Sequence, residues 1–251
     1  MTASTGLPRR RRSLLRQRSD GGADEQSHFD EPHSCERYAP HFDLWFEVTP
    51  LPYVRFSPAA AVVRDAIVVG GGLDDAGREV STACEFDGVE WRAVGSMLVP
   101  RCGHSFVAYK GFGYAVGGRV NGKSSHSVER YDPATRTWAE IKPLFYARAN
   151  CGVAVVDGYL YAIGGVGEWG RVSTVERYDS RMNHWSVVQY HIARCPDAVA
   201  VKGSRVFIFG NMDHSIEEYE RRRSDEPRNS KLLKSCPSGL LRGATASTFG
   251  P

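Results

Sequence analysis

CGVAVVDGYLYAIGGVGEWGRVSTVERYDSRMNHWSVV, residues 151–188, decides the fold. Its apolar runs, 151–156 and 159–163, are separated by Asp157-Gly158, a dipeptide suited to a two-residue hairpin turn. The Gly164-Gly165 doublet and a polar stretch follow, then a run at 172–178 rich in β-branched residues. A turn at Asp179-Ser180 leads to a last strand through Trp185. The pattern predicts one four-stranded antiparallel sheet and no helix.

The same order recurs along the chain. Trp45, Trp91, Trp138 and Trp185 are spaced by 46, 47 and 47 residues, and Arg55, Arg101, Arg148 and Arg194 by 46, 47 and 46. The doublets read as Gly70-Gly71, Gly117-Gly118 and Gly164-Gly165, the second glycine in each case 20 residues before a Trp. So constant a period implies copies that pack on one another and vary only at loop tips. A four-stranded sheet has two faces to cover, and radial stacking around a channel covers both. The fold class expected is all-β, a propeller of about four blades. Paired glycines would let backbones crowd near the axis, and a Trp on each outer strand would be buried between blades. Cys35 and Cys84, placed in register with Val128 and Val175, read as small buried hydrophobes. The regularity of the four arginines reads as structural.

AVGG (115–118), AIGG (162–165), SVERYDP (127–133) and TVERYD (174–179), each followed by Trp, resemble the Kelch repeat. The resemblance covers roughly residues 34–220 and is similar to the Kelch domains of BTB-Kelch proteins. Copies are expected at 34–52 (partial), 53–97, 98–144, 145–190 and 191–220 (partial). The family's ring closure would join 34–52 and 191–220 in one blade, giving a small or an incomplete ring where the family usually has five to seven blades. Residues 1–33 and 221–251 are expected to be disordered basic tails, the former too short and too polar for a BTB-BACK region.

Charge separates these regions. Residues 1–19 carry +6 and residues 221–251 carry +5, which leaves a net −8 on residues 20–220. An acidic ring is a poor nucleic-acid binder. The chain has no apolar run long enough to span a membrane, and its six cysteines form no CxxC pair. Cytoplasmic placement is expected, with the nucleus as the alternative because of Arg9 to Arg12.

No catalytic residue, cofactor or metal site is expected. Residues 165–170 spell GxGxxG, but a strand rather than a helix follows, and that chemistry requires a helix N-terminus. The histidines are scattered over different registers, and His104 reads as a packed strand residue. Function is therefore expected on loops. The resemblance implies a partner-binding rim built from the links between second and third strands and between successive blades. Trp169, with Glu168 and Arg171 beside it, has the residue mix of an interface hot spot. Arg119, directly after a doublet, matches a position that reaches the peptide groove in relatives. Asn121, Asn150, Cys102, Asp74 and His214 complete the expected rim. The family implies capture of a client protein for a cullin-RING ubiquitin ligase through a BTB-BACK region, or alternatively actin binding.

Overall fold

The computed structural model describes residues 34–192 and 196–210 in full, and 216–220 and 231–233 as backbone strands. Arg194, His214 and the expected tail 1–33 lie outside the described residues.

The described residues form strands and turns without a helix. A two-stranded ladder comes first, β1 (Cys35–Ala39) with β2 (Leu44–Val48). The first four-stranded sheet runs β3 (Ala59–Val63), β4 (Ala66–Gly70), β5 (Ala83–Phe86), β6 (Trp91–Val94). In the second, β7 (Ser105–Tyr109) and β8 (Phe112–Val116) are separated from β11 (Val128–Asp132) and β12 (Thr137–Ile141) by a short hairpin, β9 (Arg119–Val120) with β10 (Lys123–Ser124). The third repeats this plan: β13 (Gly152–Val156), β14 (Tyr159–Ile163), the hairpin β15 (Val166–Gly167) with β16 (Gly170–Arg171), then β17 (Val175–Asp179) and β18 (His184–Gln189). The fourth is β19 (Ala198–Lys202), β20 (Arg205–Phe209), β21 (Ile216–Glu220) and β22 (Lys231–Leu233). All ladders are antiparallel, as consecutive strands joined by tight turns require. Asp157 and Gly158 take φ of 48° and 76°, as the two-residue turn demands.

Each sheet packs face to face on its neighbour, and the cores lie between sheets. Val63 and Val68 of the first sheet, with Met97 of the link that follows it, meet Phe106, Tyr131 and Trp138 of the second. Val107, Tyr114 and Val116 of the second meet Leu160, Tyr178 and Trp185 of the third, and Tyr161 and Ile163 of the third meet Val199, Val206 and Ile208 of the fourth. An aromatic of the third strand sits opposite the Trp of the fourth in every copy where both are described: Tyr38 with Trp45, Phe86 with Trp91, Tyr131 with Trp138, Tyr178 with Trp185. The last two pairs face the preceding sheet, and the Trp185 indole donates to the Lys142 carbonyl at 2.9 Å.

The structure departs from the expected repeat in four respects. The glycine doublet of the first sheet is Gly71-Gly72, not Gly70-Gly71: φ is 65° and 97° there, matching 63° and 97° at Gly117-Gly118 and 57° and 101° at Gly164-Gly165. The hairpin from Phe86 to Trp91 is two residues shorter than that from Tyr131 to Trp138, and the stretch from Gly72 to Phe86 is one residue longer than that from Gly118 to Tyr131, so counting back from Trp91 lands one glycine early. The same slip displaces Cys84. It pairs with Val69 as Glu129 pairs with Ala115 and Glu176 with Ala162, so it stands in place of a buried glutamate.

Trp45 is not buried between sheets. It is 64% exposed, against 7% for Trp138 and 0% for Trp185, because no described sheet precedes β1 and β2. Cys35, on the same ladder, is only half-buried. Finally, β1 and β2 do not complete the last sheet. The fourth strand there is β22, from the segment assigned to the C-terminal tail, where a short Lys-Leu-Leu run without Trp gave little sign of a strand.

Candidate functional site

The link between second and third strands and the link entering the next sheet emerge at the same end of each antiparallel sheet. The repeated arginines hold these links in place. Arg101 donates to the carbonyls of Gly117 (2.7 Å) and Ser127 (3.2 Å) and pairs with Glu129 at 2.6 Å. Arg148 does the same with Gly164, Thr174 and Glu176. Each glutamate also accepts two backbone N–H groups of the preceding link, Leu98 and Val99 for Glu129, Phe145 and Tyr146 for Glu176. Arg55 keeps the carbonyl contacts, to Gly71 at 2.9 Å and Thr82 at 2.7 Å, but its sheet has Cys84 at the position where the other two have the glutamate. Burial lowers the affinity of Arg55 for its proton and pushes the Cys84 thiol up to about 11, so the sulfur stays a neutral packing group.

Glycines make room for the inner loops. A Cβ on Gly71 would lie 2.6 Å from the His104 ring, and one on Gly118 would lie 2.7 Å from the His104 Cβ. His104 is thus wedged between two doublets, buried, with Nδ1 unpartnered among the described residues. Burial takes its pKa down to about 3, with Arg101 acting in the same direction, so it is neutral and takes no part in charge recognition.

On this scaffold the rim hairpins stand out. β9 and β10 turn through Asn121 (φ 53°) and Gly122 (φ 74°), whose N–H groups donate to the Glu79 carboxylate of the first sheet's loop at 2.6 and 3.0 Å. Arg119 is exposed and exchanges backbone hydrogen bonds with Cys102 at 2.7 and 3.1 Å. Asn150, exposed with φ of 50°, repeats the left-handed position of Gly103 (56°) and Ser57 (51°), and its N–H donates to Gly103. The turn of β15 and β16 carries Glu168 and Trp169, and the Trp side chain is 95% exposed. Arg171 donates to the Ile192 carbonyl at 2.9 Å, and Ser124 reaches across to the Val166 carbonyl at 2.8 Å, joining the two hairpins.

The structure therefore brings Cys102, Arg119, Asn121 and Asn150 into one connected stretch of rim and sets Glu168, Trp169 and Arg171 on the adjoining hairpin. Asp74 is differently employed. Its carboxylate closes its own loop by accepting the Ala76 and Arg78 N–H groups and the Arg78 guanidinium, contacts that hold it below the usual carboxylate range. Sequence reasoning missed the exposed apolar residues just before the repeated arginines: Tyr53, Leu98, Phe145 and Tyr146. Their signal was a second apolar residue in a link whose core position is already filled, by Met97 before Leu98 and by Leu144 before Phe145. Among the described residues no cluster of His, Cys, Asp and Glu is suited to a metal ion.

Stacked four-stranded antiparallel sheets with buried Tyr-Trp pairs and inner glycine doublets define a β-propeller fold. The family described as Kelch motif matches residues 100–144 and 147–190, so the second and third sheets are Kelch repeats. The chain is 36% identical to Kelch-like protein 35 of Mus musculus over 53% of this chain and 23% of that protein. It is also 36% identical to Beta-scruin of Limulus polyphemus over 54% of this chain and 16% of that protein. The chain thus spans about a quarter or less of these relatives. Among solved structures, that titled Structure of YjhT superposes with a TM-score of 0.60 at 18% identity, covering 76% of this chain and 68% of the other, a likeness of fold alone.

Proposed function

We propose that this chain is a protein-binding module that captures a client protein on its rim, with Trp169 as the anchor. The observation that carries this reading is the placement of a fully extruded Trp on a two-residue turn, between Glu168 and Arg171, on a hairpin tied to its neighbour through Ser124. A large aromatic kept in water contributes nothing to the fold, and aromatic and Arg side chains dominate the energetics of protein interfaces. Exposed Arg119 and Lys123 on the adjoining hairpin supply positive charge in an otherwise acidic domain.

Similarity to Kelch-like proteins, and to Kelch repeat and BTB domain-containing protein 13 of Homo sapiens among them, supports the finer reading of a client receptor for a ubiquitin ligase. Affinity capture from cells tests both levels. Proteins recovered with the intact chain should be lost with a Trp169→Ala, Arg119→Ala double variant that melts at the unaltered temperature. Recovery of the same proteins with both would overturn the rim as the binding surface. Pelleting of the chain with actin filaments, unaffected by the double variant, would favour the cytoskeletal reading instead.

A further inference from the structure

The arginine clamps of the second and third sheets hold their own counter-charge, and that of the first sheet does not. In the former, one carboxylate oxygen, Glu129 Oε1 or Glu176 Oε1, gathers two donors. These are the Arg101 or Arg148 Nη2 group, at 2.6 or 2.5 Å, and the Val99 or Tyr146 N–H, at 3.2 or 3.1 Å. The other oxygen takes the N–H of Leu98 or Phe145. In the first sheet the same backbone bend falls at Pro52 and Tyr53. Cys84 stands at the glutamate position there, and its side chain stops at the γ atom, short of the place of a carboxylate oxygen.

The donors change with the acceptor. Pro52, in the place of Leu98 and Phe145, has no N–H, so the donor that serves the second oxygen elsewhere is missing from the first link. The two that serve the first oxygen remain. Arg55 gives both Nη1 hydrogens to the Gly71 and Thr82 carbonyls and one Nη2 hydrogen to Thr82 Oγ1. Its second Nη2 hydrogen and the Tyr53 N–H have no acceptor among the described residues. Arg55 is 4% exposed and Cys84 is enclosed completely, and the thiol stays protonated, so the guanidinium charge is buried unmatched. The Tyr53 ring lies 5.7 Å from the guanidinium carbon and offsets part of that charge, but its face takes neither hydrogen.

We infer that a chloride ion binds between Arg55 Nη2 and the Tyr53 N–H, in the place that Glu129 Oε1 and Glu176 Oε1 hold in the other clamps. A monatomic anion fits this donor set, since it accepts from both groups at one point. A carboxylate or phosphate would bring a further oxygen to the spot where Pro52 offers no hydrogen.

Thermal unfolding of the full chain, with sodium chloride replacing sodium gluconate at constant ionic strength, tests this with screening held fixed. Once the site fills, the folded-to-unfolded ratio should rise about tenfold for each tenfold rise in chloride, because an ion bound only by the folded chain shifts the equilibrium by mass action. Cys84→Glu, which supplies the carboxylate, should lose this response, and so should Arg55→Met, which removes the cation. If the glutamate variant does not fold, the methionine variant carries the comparison. The chloride-35 resonance should broaden with the unaltered chain and with neither variant, a readout independent of unfolding. Three outcomes would overturn the inference: no response of the unaltered chain to chloride, as when water takes both hydrogens; a response that persists in either variant, the mark of an adventitious ion only; or chloride-35 broadening that is the same with all three proteins.

Discussion

Arg148 and Glu176, both withdrawn completely from water, meet at 2.5 Å, while in the first sheet the register position of that glutamate is held by Cys84, and Arg55 bonds only to Gly71 and Thr82 among the described residues. A buried ion pair is costly to break from one side, since the surviving charge is left in a medium of low polarity. Arg148→Met strands Glu176 and is expected to lose roughly 3–5 kcal/mol in urea unfolding. Arg55→Met strands no carboxylate and should lose distinctly less. In a Glu176→Gln background the cost of Arg148→Met should shrink. Equal losses at both arginines would show that the carbonyl contacts, rather than the carboxylate, set their value.

The corrected glycine register gives a second test. Gly72 combines φ of 97° with a phantom Cβ 2.7 Å from the Phe56 carbonyl, whereas a Cβ on Gly70 finds ordinary contacts, the nearest at 3.5 Å. Gly72→Ala should lower the melting temperature markedly and Gly70→Ala little, which thermal denaturation of the two variants decides.

Truncating Trp138 or Trp185 removes a buried indole and should cost on the order of 3–5 kcal/mol, whereas Trp169→Ala should leave the melting temperature unchanged. Trp45→Ala should behave like Trp169→Ala in dilute solution, since its ring faces water. Thermal unfolding of the four variants at low concentration separates the two classes.

His104 makes stability depend on pH. Its folded pKa is depressed to about 3 from 6.5, so in mild acid the unfolded chain binds the proton and the native chain does not. The stabilisation is complete above pH 6.5 and is lost as pH falls from there toward 3. Between pH 7 and pH 5 the loss should be about 2 kcal/mol. His104→Leu should flatten that part of the profile, which urea titrations at several pH values would read.

The frame of the fold was legible because packing between sheets repeats at constant spacing: Trp138 and Trp185, Arg101 and Arg148 mark it without ambiguity. The first sheet was misread by one residue because three consecutive glycines conceal the frame and its outer hairpin is short. The exposure of Trp45 was not legible at all, since burial of that ring depends on what precedes it in space, not on its own neighbours in sequence. At the rim, Trp169 could be singled out as an aromatic among polar residues. The hairpins β9–β10 and β15–β16 could not, being two residues per strand and held by bonds from other loops.

Those bonds bear on the entropy of recognition. The Asn121-Gly122 turn is fastened to Glu79, Ser124 to Val166, and Arg171 to Ile192, so each loop is restrained by another loop. Loops that are free in the unbound state must be ordered by the partner, at a cost set against affinity. Here that ordering is completed when the chain folds, so under the proposed function a partner would meet a rim whose backbone is already held by these bonds and whose remaining freedom lies in a few side chains.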